Sequence, residues 1–420
     1  MAVDLISNFK EKTAKIKDPG INREAEFDVM YSTGFLSMDY MNGTVIYVSN
    51  EELELDYHYN STGIVDGSAN VFIGRPASGK STLTMQVAGN IIRPYIQKGM
   101  PTSLMVDDIE GSLPESRKQF LLGLTEKEME KYTDIRNTGI TTNNVLQRIR
   151  ELRDLKLNNR KEFEYDTGLH DVKGKRIFKL IPSVYVIDSL PMLLPKDLAD
   201  DDELGGSMSA SAIAKANTMM SKQITQWCKE ANIIFFTINH ILDDIQMGYT
   251  PKPVQIAGLK QGERLPAGKA TMYLANNMFR TDDSTLLKPT EGFGIDGSIV
   301  RLTLVKSRTN VTRKSIPLIF NKTEGRFDDI LSLFQLVKED GRFLGGAGAY
   351  LYMKELPEEK FAQKTFKEKL EASTELQQVF AKAAYTILSA YLSDTKVVQK
   401  DLSTASSNII NIFNELSTAA

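Results

Sequence analysis

Short runs of β-branched and aromatic residues alternate with longer amphipathic stretches over most of this chain. Residues 70–74 (NVFIG), 102–108 (TSLMVDD), 184–189 (VYVIDS), 232–239 (NIIFFTIN) and 299–307 (IVRLTLVKS) read as strands. Their apolar runs suit a sheet covered on both faces, and the helical stretches between them suit crossovers joining parallel strands. The pattern predicts an α/β core over residues 34–330, with a mostly parallel sheet flanked by helices. Ahead of it, residues 1–33 place Leu5, Phe9 and Ile16 in a mixed-charge helical stretch broken by DPG at 18–20, which reads as a tethered arm. After it, Leu376, Val379, Phe380, Ala383 and Ile387 recur at helical spacing, as do Ile409, Ile412, Phe413 and Leu416, so residues 331–420 are expected to form a small helical domain. Residues 44–68 and 156–180 have hairpin-like composition and read as surface insertions without recognisable chemistry.

Composition narrows the function classes only a little. With 51 basic and 54 acidic residues among 420, net charge is −3, so any nucleic-acid surface must be local. The one cysteine, Cys228, forbids a disulfide within the chain and sits in a helix-like stretch as a small apolar group. With His58, His170 and His240 as the only histidines, a zinc site built from His and Cys is discounted. The longest apolar run, IIFFTI, is too short to span a bilayer, and the start has no apolar core followed by a cleavage site. The expectation is a soluble, cytoplasmic protein in a reducing compartment.

The strongest chemical signal is VFIGRPASGKST. It spells G-x-x-x-x-G-K-S/T with Gly74, Gly79, Lys80 and Ser81, directly after a strand and at the start of a helix. Glycines let backbone wrap close to phosphate, amides and the helix N-terminus supply positive potential, Lys80 reaches the terminal phosphates, and Ser81 offers a hydroxyl to Mg²⁺. Arg75, Pro76, Ala77, Ser78 and Thr82 complete the phosphate-binding stretch. Pro94 is expected to end or kink the following helix near Arg93. Two more strands end in carboxylates: Asp188, placed to hold the metal through its water shell, and the group Asp107, Asp108 and Glu110, one of which can orient an attacking water. The chemistry so far is Mg-dependent hydrolysis of a nucleoside triphosphate.

Several segments, taken in order, resemble the RecA/RadA recombinases, and most of all the UvsX-type recombinases of tailed phages. YSTGFLSMDYMNG resembles the segment ahead of that family's P-loop, and GRPASGKST its P-loop. VDDIEG resembles the strand end carrying its catalytic base, VYVIDSLPML its second Walker strand, MSASAIAKANTMMSK the helix after its first DNA-binding loop, FFTINHI its γ-phosphate sensor and LVKSRTN the strand with its trans-acting cations. The likeness runs from about residue 31 to 330. It implies a RecA-like core in which Glu110 is the base, His240 the sensor, and Lys306 and Arg308 a pair reaching the γ-phosphate held by a neighbouring protomer. It also implies helical filaments on single-stranded DNA, pairing with homologous duplex DNA, an arm that packs on a neighbour, and single-strand-binding or loader proteins as further partners. A phage-encoded protein would work in its host's cytoplasm.

The resemblance places DNA contacts on two irregular segments, about 195–211 and 242–270. The first is acidic, so amides around Gly205, Gly206, Ser207 and Ser209 are the expected contacts; in the second they are Lys252, Lys260, Arg264, Gly268 and Lys269. Three positions depart from the bacterial pattern. His240 stands where a glutamine is usual, Arg117 falls near the tyrosine that stacks on adenine, and Ala267 precedes Gly268 where paired glycines are usual. Other readings of the same segments are a hexameric helicase motor and a RecA-like paralogue that binds ATP without exchanging strands.

Overall fold

The computed structural model describes residues 29–111, 113–171, 174–199, 208–243, 258–266, 269–347 and 350–392. Residues 1–28 of the expected arm, with Leu5, Phe9 and Ile16, and the last apolar stripe, Ile409 to Leu416, lie outside the described residues, as do Gly205, Gly206, Ser207, Lys252 and Gly268; residues 29–33 belong to the core instead, with Met30 and Tyr31 paired to Val65 and Ile64.

Nine strands form the central sheet: β1 Ala69–Gly74, β2 Ser103–Asp108, β3 Thr133–Arg136, β4 Ser183–Asp188, β5 Ile233–His240, β6 Asn277–Leu287, β7 Gly297–Lys306, β8 Lys314–Asn321 and β9 Arg326–Asp328. Their spatial order is β9-β8-β7-β6-β1-β5-β4-β2-β3. The six from β6 to β3 run parallel, whereas β7, β8 and β9 are antiparallel additions at one edge. The strand IVRLTLVKS is therefore an antiparallel one, which corrects its expected place among parallel crossovers. It follows β6 through a short connection with no room for a crossover helix.

Helices cover both faces of the sheet. They are α1 Leu36–Asn42, α2 Lys80–Gln97, α3 Glu115–Leu122, α4 Thr142–Asn158, α5 Met208–Ala231, α6 Lys269–Leu274, α7 Asp329–Asp340, α8 Phe366–Ala372 and α9 Thr374–Ser389. On one face Leu83, Val87 and Ile91 of α2 pack on Phe72, Val106, Val184 and Phe236. On the other, Val145 and Ile149 of α4 and Ile224 and Cys228 of α5 pack on Tyr185, Ile187 and Phe235. Strand side chains pointing both ways are buried, which is why these strands read as continuous apolar runs. Of the two outcomes expected at Pro94, α2 does not end at Arg93; it continues through Pro94 to Gln97, with Ile91, Ile92 and Ile96 in the core.

The C-terminal region corrects a second expectation. Between α7 and α8 lies a three-stranded antiparallel sheet, Leu344–Ala347, Tyr350–Met353 and Leu356–Phe361, so this part is mixed rather than purely helical. Its core of Phe334, Phe361, Phe366, Leu376 and Phe380 is continuous with Ile319 of β8, across α7. Residues 44–68 and 156–180 do contain hairpins, Thr44–Asn50 with Leu55–Ser61 and Glu164–His170 with Arg176–Leu180. The two touch, with Tyr57 Oη 3.0 Å from His170 Nδ1.

Candidate active site

Strand register brings the chemistry to one end of the sheet. Gly74 at the end of β1 lies between Thr281 of β6 and His240 of β5, and Asp188 of β4 is level with Asp108 of β2. These are the carboxyl ends of parallel strands, where ligands bind in open α/β sheets. A cleft of about 370 Å³ opens here, bounded by residues 76–82, Glu110, Leu113, His240, Ser298, Val300 and Phe320.

The glycine-rich loop after β1 is shaped by close packing. A Cβ on Gly74 would lie 2.1 Å from Thr281 Oγ1, and one on Gly79 would lie 2.7 Å from the Phe327 ring. Gly79 has φ 81°, a left-handed conformation that glycine adopts at little cost, and it caps the N-terminus of α2. Ser78 Oγ is 2.7 Å from Thr281 Oγ1. Gln86 fixes the ring beneath the loop: its Nε2 donates to Phe327 O at 3.1 Å and its Oε1 accepts from Phe327 N at 2.8 Å. No motif marks Gln86 or Phe327, because their pairing spans most of the chain.

Lys80 is 4% exposed, and its Nζ donates to Arg75 O at 2.7 Å. Burial draws its pKa down to about 8, opposed by the charges of Asp188 and Glu110. The Arg75 side chain pairs with Asp243 at 2.8 Å, at the start of the second irregular segment.

Asp188 is buried, and burial pushes its pKa up to about 6 against the hydrogen bond with Ser81. Its Oδ1 is buried with no hydrogen-bond partner among the described residues. An orphaned carboxylate oxygen beside a serine hydroxyl fits a hard cation that prefers oxygen ligands. Among the described residues no three His, Cys, Asp or Glu side chains converge to hold a metal alone, so a Mg²⁺ here would complete its shell with water and phosphate oxygens.

The three acidic residues after β2 separate into different roles. Asp107 is fully buried and bound by Arg148 and Tyr185 Oη. Asp108 pairs with buried Lys118 at 2.5 Å and accepts from Gly111 N at 2.9 Å. Both serve the fold, which leaves Glu110 for the cleft. Its Oε1 accepts from Ser189 Oγ at 2.5 Å and lies 2.7 Å from His240 Nε2. Burial raises its pKa, but these hydrogen bonds and the charges of His240 and Lys80 outweigh it, and the net shift is downward. Glu110 is a carboxylate at neutral pH, and both of these hydrogen bonds are made by its Oε1.

Arg117 does not join this group. It lies in α3 with its guanidinium 5.4 Å from the Phe120 ring and against Gly325, and it is not among the residues bounding the cleft. The apolar side chains bounding the cleft are instead Leu113, Val300 and Phe320, contributed partly by the antiparallel strands that no local motif announces.

Lys306 and Arg308 are brought together, but away from the cleft. Lys306 donates to Met272 O and, at 2.6 Å, to Ala275 O, while Arg308 Nη2 donates to Tyr273 O at 3.4 Å. Both cations thus meet carbonyls at the C-terminal end of α6, where the helix dipole favours positive charge. Burial, then Arg308, draws the Lys306 pKa down to about 8. Lys306 is paired with Met278, whereas Gly74 is level with Thr281, three residues and about 10 Å further along β6.

Of the expected DNA contacts that are described, Lys260 pairs with Asp282 at 3.3 Å and Arg264 is exposed, opposite Leu242 in a two-residue ladder. Ser209 lies within helix α5 and Lys269 begins α6, so neither is in irregular chain, contrary to the expected loop bounds. The return limb of the second segment is fixed by Arg280, whose guanidinium is bidentate to Glu263 (2.6 and 2.9 Å) and donates to Gly258 O at 2.6 Å.

Compared with models of known protein families and with curated proteins, the chain matches none. Among the described residues, no helix is long and apolar enough to cross a membrane.

Proposed function

We propose that this chain is an ATP-dependent recombinase of the RecA-like type, assembling into filaments on single-stranded DNA and exchanging strands with homologous duplex. The observation that carries the reading is the convergence of Lys80, Ser81, Glu110 and His240 on one cleft, with Asp188 hydrogen-bonded to Ser81, while Lys306 and Arg308 sit together about 10 Å away along β6. A cleft whose lining among the described residues includes one lysine, Lys80, and no arginine, in a chain that holds a cation pair out of its own reach, suits a pocket completed by a neighbouring copy.

In this reading the loop amides and Lys80 bind the triphosphate, and Phe320 and Val300 cover the base. Ser81 and Asp188 would hold a Mg²⁺, which would supply charge neutralisation at the phosphate oxygens. Glu110 orients the attacking water and takes its proton, and Ser189 and His240 hold that carboxylate in place. His240 thus links the hydrolytic carboxylate to the end of β5, from which the second irregular segment departs. Lys306 and Arg308 leave the α6 carbonyls to meet the neighbour's γ-phosphate, which ties phosphate contact to the helix closing that segment.

Complementation tests this directly. Lys80→Ala disables a subunit's own cleft, and Lys306→Ala/Arg308→Ala disables what it lends. Each variant alone should show little DNA-stimulated hydrolysis, and an equimolar mixture should recover a substantial part, with helical filaments seen by electron microscopy. Closed rings would favour the helicase motor. A mixture no more active than its components would overturn the shared pocket.

A further inference from the structure

An apolar groove of about 410 Å³ lies between α1, α7 and α9. Leu36 and Tyr40 form one wall, Leu333 and Phe380 the floor, and Ala384 and Tyr385 the other wall, and among the described residues no charged side chain borders it. Leu36 is 48% exposed and Tyr385 53%. Open apolar surface of this kind marks a place where another segment binds.

The chain leaves the described residues beside this groove. After α9, Tyr391 O accepts from Asn310 Nδ2 at 3.2 Å, and Leu392 packs so closely on Gly43 that a Cβ there would lie 2.6 Å from Leu392 Cδ2. Gly43 caps α1, three residues past Tyr40. Residues 393–420 continue from this point, and within them Ile409, Ile412, Phe413 and Leu416 fall on one helical face. Glu415 is the only charged residue from 402 to 420, matching a groove without charge. Extended chain covers about 3.3 Å per residue, so residues 393–408 reach any part of the groove. The arm at the other end of the sequence suits it less well. Lys10, Lys12, Lys15 and Lys17 crowd around Phe9 and Ile16, and the groove offers them no carboxylate.

We propose that residues 409–416 lay their apolar face in this groove of the same chain, strapping α1 of the sheet-bearing core to α7 and α9 of the C-terminal region. The strap is independent of the recombinase reading, because it draws on no residue of the cleft.

Disulfide trapping in the full chain tests it, aided by the burial of the one native cysteine, Cys228. Tyr385→Cys/Phe413→Cys should oxidise to an intramolecular link about tenfold faster than Tyr385→Cys/Asn411→Cys, whose second thiol lies on the opposite helical face, since docking raises the effective concentration of only one pair. In a second measurement, Phe413→Asp should increase binding of a hydrophobic dye, and Tyr385→Asp in the same chain should reverse much of that increase. Equal oxidation of the two pairs, a link only between copies, or dye binding unchanged by Phe413→Asp would each overturn the proposal.

Discussion

Asp329 offers a quantitative test of how the segment ahead of the phosphate-binding loop is held. Its Oδ1 accepts from Leu36 N at 3.2 Å, and Asp39 nearby accepts from Ser32 Oγ at 2.6 Å and from Thr33 N at 2.8 Å. The stretch STGFLSMDY is therefore pinned by two acidic residues. Burial, then the charge of Asp39, pushes the Asp329 pKa up to about 7 from an ordinary 3.8. A carboxyl whose pKa is raised on folding binds its proton more tightly in the folded chain. Stability is therefore highest below about pH 4, falls as pH rises through the window between the two values, and is reduced in full above about 7. The gap corresponds to a ceiling of about 4 kcal/mol, which relaxation and water access reduce to about 1–3 kcal/mol. Asp329→Asn keeps an acceptor for Leu36 N and removes the charge. In urea unfolding the variant should exceed the parent by that amount at pH 8, with the difference closing by pH 4. A gain of equal size at both pH values, or none at pH 8, would show that the buried charge is not what strains this junction.

Other consequences follow from the cleft. Glu110→Gln should lower ATP hydrolysis by about 10²–10⁴ while leaving equilibrium binding of labelled nucleotide near that of the parent; unimpaired turnover would remove Glu110 from the proton path. Because the Asp188 pKa is raised to about 6, its carboxylate is lost as pH falls through that value. Mg-dependent nucleotide affinity should therefore decline about tenfold per pH unit below 6, measured by fluorescent-nucleotide titration, and a flat profile from pH 5 to 8 would exclude Asp188 from metal binding. Gly74→Ala should destabilise the chain by about 1–3 kcal/mol in thermal or urea unfolding and weaken nucleotide binding, since the new methyl meets both side chain and backbone of Thr281. Thr281→Ala should recover part of that loss, and full recovery would show that backbone crowding is unimportant.

Much of the site was legible because its signals are local. A glycine-rich turn between strand and helix is specified within residues 74–82, and an acidic residue ending an apolar strand, as Asp188 ends β4, advertises its own position. Alternation of apolar runs and amphipathic stretches was likewise enough to forecast a layered α/β core, since burial on both faces writes itself into every strand. Other assignments depended on partners far away in the chain. Asp107, Asp108 and Glu110 look interchangeable in sequence, and only Arg148, Tyr185 and Lys118 reveal that the first two are occupied within the fold. Arg117 falls near the position where the family it resembles stacks a tyrosine on adenine, yet α3 carries it to Gly325. Strand order decided the rest: by adding β7 antiparallel to β6 and β8 antiparallel to β7, it set Val300 and Phe320 at the cleft and Lys306 at the opposite end of the sheet. Sequence determined which residues could do chemistry and which segments would be buried. Tertiary structure alone decided which of them meet, because hydrogen bonding between strands joins residues that no local spacing connects.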